Sequence, residues 1–167
     1  IVHTGKGKGK TTAAMGMVAR CLGHGKHVGV VQFVKGKWET GERVVLERFS
    51  ELLTIKAMGE GFTWETQDRA RDIAAAEAAW AAAKEMIEDP ENELVLLDEI
   101  NIVLRNDYLP IADVVDYLKN KPADTHVICT GRNAKPELIE IADTVTEMTE
   151  IKHHFRANFK AQAGIEF

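Results

Sequence analysis

The stretch "IVHTGKGKGKTTAA", residues 1–14, decides how the rest of the chain is read. A phosphate-cradling P-loop has the form GxxxxGK[ST] and joins a strand to a helix. Gly9, Lys10 and Thr11 supply its last three members, but the first glycine then belongs at position 4, which is Thr4. Counted from Gly5, only Lys6, Gly7 and Lys8 precede Gly9, so the loop is one residue short. Its setting is nevertheless right, with an apolar start at Ile1–His3 and a helical pattern from Thr11. In that setting glycines let backbone N–H groups turn inward, and the helix dipole favours an anion. Lys10 adds a point charge, and Thr11 offers a hydroxyl to Mg²⁺. The candidate ATP-binding set is therefore Thr4, Gly5, Lys6, Gly7, Lys8, Gly9, Lys10, Thr11 and Thr12. Arg20, on the same helix, either faces the nucleotide or merely caps that helix, and it joins the set as a candidate.

Beyond the loop, short apolar runs alternate with helical patterns. "HVGVVQF" (27–33), "LLTIKAM" (52–58), "ELVLLDEI" (93–100) and "THVICTG" (125–131) are rich in Val, Ile and Leu and apolar on both faces, as buried parallel strands are. Helices are expected over 11–22, about 65–88, 110–120 and 136–142. The first stops at "GHG", where Gly23 and Gly25 supply C-cap conformations. The second carries Ile73, Ala76, Trp80, Ala83 and Ile87 at steps of three and four, one apolar stripe in which Trp80 reads as core. Pro110 and Pro136 stand at first-turn positions of the last two. Strands separated by helices imply right-handed βαβ units. The expected fold is α/β: a single P-loop (RecA-like) domain over 1–167, its mostly parallel sheet covered by helices on both faces.

Composition narrows the partners. The chain has 167 residues, 45% hydrophobic and 28% charged, with a net charge of -5. Those shares fit a soluble globular domain, and the acidic balance argues against nucleic acid bound through a broad basic surface. The local cluster of Lys6, Lys8 and Lys10 suits phosphates on a small molecule instead. No apolar run approaches the roughly 18 residues that span a bilayer. Cys21 and Cys129 are distant and form no CxxC pair, so a reducing cytoplasm is the expected location. The chain begins at Ile1 rather than Met, from which a missing N-terminal stretch is expected.

In an open parallel sheet ligands bind beyond the carboxyl ends of the strands. The loop follows the first strand, Lys35 and Gly36 the second, "GEGFTWET" the third, Asp98 and Glu99 the fourth, and Thr130, Gly131 and Arg132 the fifth. "LVLLDE" (94–99) matches a Walker B strand, whose acid holds the nucleotide's Mg²⁺ directly or through water. Phe62 and Trp64 alternate in an extended stretch, so both rings project to one side, onto a shared ligand or into the core beneath the loop. His153 and His154 lack a third ligand at metal spacing and read as surface or substrate-rim residues.

Taken together, "TGKGKGKTTAA", "GHGKHVGVVQFVKG", "GFTWETQ", "LLDE", "DYLP", "TGR", "ADTVTEM" and "KAQAGIEF" resemble the ATP:corrinoid adenosyltransferases of the cobalamin pathway, in the P-loop branch that also acts on cob(I)yrinic acid a,c-diamide. The resemblance implies that the short loop is a family feature, with ATP lying reversed relative to ordinary P-loop NTPases. It implies that a corrinoid in the Co(I) state attacks the 5′ carbon of ATP and releases triphosphate, in synthesis or salvage of adenosylcobalamin. Lys10 and the loop amides, with Mg²⁺ held by Thr11 and Glu99 and supported by Asp98, would stabilise the leaving charge. Phe62 and Trp64 match the family's aromatic pair, which implies corrinoid binding and removal of the lower axial ligand. That removal eases reduction to Co(I), because an axial ligand raises the cobalt orbital that accepts the electron. On this reading Phe62, Trp64, Lys10 and Glu99 are the catalytic group. The family also implies a homodimer, a reduced flavin or flavodoxin as electron donor, and a segment ahead of the first strand that can cover the site.

Two other readings compete. A P-loop phosphotransferase or ATPase acting on a small metabolite needs a base or an arginine in a lid, and no arginine-rich lid segment is visible. A non-catalytic nucleotide switch explains the loop but leaves "GFTWETQ" without a purpose.

Overall fold

A computed structural model describes residues 1–34, 41–58 and 68–165. Six strands form one parallel sheet in the order β3-β2-β4-β5-β1-β6. They are β1 (Val2–Thr4), β2 (His27–Gln32), β3 (Leu53–Ala57), β4 (Asn92–Asp98), β5 (His126–Thr130) and β6 (Val145–Glu147). Among the described residues the helices are α1 (Lys10–Gly23), α2 (Gly41–Leu46), α3 (Arg69–Glu88), α4 (Ile100–Arg105), α5 (Ile111–Asn120) and α6 (Pro136–Ile141). Short 3₁₀ turns follow at Glu47–Phe49 and His154–Ala157.

The sheet is covered on both sides because successive strand residues point to opposite faces. On one face Val2, Val31, Val95, Leu97, Val127 and Cys129 pack against Trp80, Ala83, Ile87, Leu104, Val114 and Leu138 of α3 to α6. On the other, Val28, Val30, Leu94, Leu96 and Ile128 pack against Ala14, Val18 and Leu22 of α1. Leu96 and Ile128 are fully buried, and each such side chain contributes about 1.5–3 kcal/mol over exposure. The central strands are thus a stiff frame, whereas edge strand β6 is exposed along its length.

Two local devices set the helices against that frame. Gly29 in β2 lets α3 approach, since a Cβ there would stand 2.9 Å from the sulfur of Met86. The end of α1 is a Schellman turn: Lys26 N–H donates to Cys21 O at 3.1 Å and Gly25 N–H to Leu22 O at 2.9 Å, with Gly25 at φ 71. Of the two expected capping glycines, then, only Gly25 takes the left-handed conformation, and Gly23 is the last helical residue.

The expected strands and helices are present, with shifted ends. "ELVLLDEI" runs two residues too far, because Glu99 turns left-handed at φ 64 and Ile100 opens α4. The long stripe helix is described from Arg69, after Asp68, whose side chain accepts from Arg71 N–H; residues 65–67 lie outside the described residues. Trp80 is core as expected, 8% exposed and edge-on to Tyr117 at 5.3 Å. Pro110 is the N-cap of α5 rather than a first-turn residue, while Pro136 is in the first turn of α6. Not anticipated were α2, α4 and β6. They are short, and β6 is exposed, so none shows the repeated apolar spacing that marks longer buried elements. Among the described residues no helix is long and apolar enough to cross a membrane.

Candidate active site

The carboxyl ends of β1, β5 and β4 lie side by side and bring three pieces of sequence together. The P-loop strand β1 is separated from the Walker B-like strand β4 by β5, so the end of β5 lies between their polar termini.

Between β1 and α1 the loop alternates. Gly5 and Gly7 are buried and Lys6 and Lys8 exposed, so "GKGK" over residues 5–8 sends its lysines outward and its glycines inward, a pattern that ends at the buried Lys10. Gly5 and Gly9 hold φ 96 and 100, conformations that L side chains seldom adopt. Gly9 is the N-cap of α1. Thr4 is buried, and its hydroxyl accepts from Ala134 N–H at 2.9 Å, which ties the loop's start to the segment after β5. Lys10 is 7% exposed, and its ammonium donates to Gly7 O at 2.5 Å. Burial lowers its pKa, the neighbouring Glu99 carboxylate raises it and Arg132 lowers it again. Thr12 is exposed in the first turn of α1.

Asp98 gathers the other pieces. Its Oδ1 accepts from Thr11 Oγ1 at 2.9 Å and from Thr130 Oγ1 at 2.8 Å, and Gln32 Nε2 stands 3.5 Å from Oδ2. Thr130 also accepts from Glu99 N–H at 2.9 Å, so one hydroxyl links both acids. Glu99 curls back in the left-handed conformation, and its Oε2 is buried without a hydrogen-bond partner. Burial, then the Asp98 charge, pushes the Glu99 carboxyl up to about 7, against the pull of Lys10 and Arg132. Burial likewise raises Asp98, opposed by its hydrogen bonds to Thr130 and Thr11. Gly131 makes this packing possible, since a Cβ there would stand 3.0 Å from Glu99 Oε2 and 2.9 Å from Asn101 Cβ. Asn101, fully buried, donates to Gly131 O at 2.9 Å and leaves its own Oδ1 unpartnered.

Two adjacent acids that resist ionisation, one with an orphaned oxygen, beside a threonine hydroxyl at a helix N-terminus fit a hard divalent cation. Among the described residues no group of three or more His, Cys, Asp or Glu side chains could hold a metal by itself. Mg²⁺ is usually bound through one or two carboxylates plus substrate phosphates, and Asp98 and Glu99 offer two carboxylates beside Thr11.

The structure therefore brings Thr4, the loop glycines, Lys10, Thr11, Asp98 and Glu99 to one place. It does not bring Arg20 there: that side chain is exposed in the last turn of α1, about 15 Å along the helix from Lys10 at 1.5 Å per residue. Phe62 and Trp64 lie outside the described residues, as do Lys35 and Gly36. His153 and His154 are half-exposed in the C-terminal segment, their ring centroids 4.6 Å apart, and His153 Nδ1 accepts from Phe155 N–H. Sequence reasoning missed Gln32 and Asn101. The signal for Gln32 was a polar residue closing the apolar run "VGVV", and for Asn101 an amide two residues beyond the paired acids.

Comparison with known proteins extends the likeness beyond the site. The model of the family described as ATP:corrinoid adenosyltransferase BtuR/CobO/CobP matches residues 1–167. A corrinoid adenosyltransferase of Sinorhizobium sp. is 60% identical over 169 residues, covering all of this chain and 79% of that protein. One from Pseudomonas aeruginosa is 56% identical, covering all of this chain and 82% of its own length. Corrinoid adenosyltransferase CobA of Salmonella typhimurium is 48% identical, with all of this chain and 84% of that protein covered. Likeness of this extent over the whole chain makes it a member of the ATP:corrinoid adenosyltransferase family.

Proposed function

We propose that the protein transfers the 5′-deoxyadenosyl group of ATP to the Co(I) centre of a corrinoid and releases triphosphate. The observation that carries this is the seating of Thr11 on Asp98, beside Lys10 and the orphaned Glu99 oxygen, at the head of α1 in a chain of this family. In the reaction the cobalt electron pair forms the Co–C5′ bond, the C5′–O5′ bond breaks, and its electrons leave with the triphosphate.

Negative charge grows on the leaving oxygens, so the protein's contribution is fixed positive potential where they lie. The head of α1 supplies N–H groups and the helix dipole. Lys10 supplies an ammonium already desolvated by burial, which strengthens its pull on an anion. Thr11 and Glu99 would hold Mg²⁺, with Asp98 fixing the Thr11 hydroxyl from behind. When bound, that ion supplies charge neutralisation for the triphosphate. Holding C5′ and cobalt in line is the other requirement, and positioning of this kind supplies roughly 7–11 kcal/mol.

Phe62 and Trp64 are assigned to the corrinoid from their match to the family's aromatic pair. Substituting either by Ala is expected to slow reaction from Co(II) corrinoid far more than from chemically pre-reduced Co(I). Equal losses from both states would make them core residues. A homodimer, a reduced flavin or flavodoxin as electron donor, and a cytoplasmic site of action complete the reading, also on family likeness. Light scattering and turnover with reduced flavodoxin test the first two.

Phosphorus NMR of ATP, Mg²⁺ and Co(I) corrinoid with the enzyme tests the central claim. Triphosphate is expected one-for-one with the adenosylated corrinoid. ADP forming at a comparable rate without corrinoid would falsify it in favour of an ATPase.

A further inference from the structure

The ladder between β1 and β6 does not stop where the strands stop. Met148 N–H donates to Thr4 O at 2.9 Å, and Gly7 N–H, three residues into the loop, donates to Met148 O at 2.6 Å. The loop is pressed onto this segment. A Cβ on Gly5 would stand 2.5 Å from Met148 O, and one on Gly7 would stand 2.7 Å from the same atom and 2.8 Å from Thr149 O. Gly9 differs, its nearest neighbour being the Met148 sulfur at 3.8 Å. The buried-glycine, exposed-lysine alternation over residues 5–8 is the period-2 pattern of an extended segment lying against a partner.

We propose that Met148–Thr149, running on from β6, is the positioning element of the ATP site: it props the first half of the shortened loop, so that the Gly7 amide serves the protein and phosphate binding falls to the amides of Gly9–Thr12 with Lys10. A loop lacking one residue has too little chain to curl around a phosphate with all its N–H groups, and a neighbouring carbonyl satisfies the donor left over. Lys10 completes the brace by donating to Gly7 O, so that both backbone polar groups of Gly7 are held. The inference rests on the reading of this loop as the ATP site, and it adds a segment that the loop motif does not contain, 141 residues from Gly7 at Met148.

Amide-resolved NMR on the full chain, with MgATP as the probe, separates the two ideas. In the ligand-free protein Gly7 N–H is expected to exchange with solvent well below the rate of an unstructured chain. On adding MgATP the resonances of Lys10–Thr12 are expected to shift more than that of Gly7. Fast exchange at Gly7, or a Gly7 shift as large as theirs, overturns the brace and leaves the ATP site intact. No shift anywhere in the loop removes the ATP site and the brace with it. Met148→Pro deletes the N–H that pairs with Thr4. It is expected to raise KM for MgATP roughly tenfold, the scale of one net hydrogen bond, while KM for corrinoid stays put. A folded Met148→Pro variant with unchanged KM for MgATP overturns the proposal, and if that variant does not fold, the amide measurements on the unsubstituted protein decide.

Discussion

The two halves of the glycine-lysine loop use glycine for different reasons. At Gly5 and Gly7 the missing side chain makes room for protein, because backbone of Met148 and Thr149 occupies the volume a Cβ needs, and Gly5 is left-handed at φ 96 besides. At Gly9 there is room for a side chain, and the backbone conformation, φ 100 at the head of α1, is what favours glycine. The first half is thus built like a piece of core, and the second half like an anion site. A repeating motif in sequence hides that division, because the residue type is the same while the physical demand is not.

The largest expected effect lies in the second half. On the proposed reaction Lys10→Ala and Thr11→Ala each remove a group that would face the leaving phosphates, and loss of one such donor costs roughly 10²–10³ in rate. Turnover at saturating MgATP should fall by at least that much while circular dichroism stays unchanged. Near-normal turnover would sink the loop assignment and the comparison with it. Gly7→Ala is next. Forcing a methyl against the Met148 carbonyl is an overpacking change, expected to lower stability by about 1–3 kcal/mol in denaturant unfolding and to weaken MgATP binding.

Thr130→Val probes the support beneath the second half. It keeps the shape but strips the hydroxyl that joins Asp98 to Glu99 N–H, leaving a buried donor and acceptor short of partners at about 1–3 kcal/mol. The Mg²⁺ concentration for half-maximal rate should rise, and Thr130→Ser should restore it. An unchanged Mg²⁺ requirement would make Thr130 a packing residue only. The smallest effect is expected for Gly9→Asn, since Asn tolerates left-handed backbone and no neighbour crowds the site, at about 1 kcal/mol of stability. Were Gly9→Asn as damaging to the fold as Gly7→Ala, the two halves would not differ as their contacts indicate.

Much of this frame was legible beforehand because it rests on local patterns. Runs such as "ELVLLDEI" are apolar on both faces and short, as a strand between two helical layers is, and Ile73 to Ile87 repeat at helical spacing. The paired acids at the end of β4 and the loop at the end of β1 could be placed at one rim because parallel strands present their carboxyl ends together. What escaped were elements too short to show a period, α2, α4 and β6, and residues whose role depends on a distant partner. Asn101 looks like any helix-start amide until Gly131 is beside it. Arg20 looks close to the loop in sequence, but the rise of α1 carries it away.

By itself, then, the sequence determined the layered parallel sheet, the strand-loop-helix phosphate motif and the likeness to its family, since each is written in residue type and spacing over a few neighbours. Tertiary structure alone decided that Thr130 bridges the two acids, that Glu99 turns back with an unpartnered oxygen, and that Met148 braces Gly7. These pairings span 31 to 141 residues and depend on strand order, β5 beside β4 and β6 beside β1. Strand order follows from how the helices pack over the sheet, a property of the whole chain that no local spacing encodes.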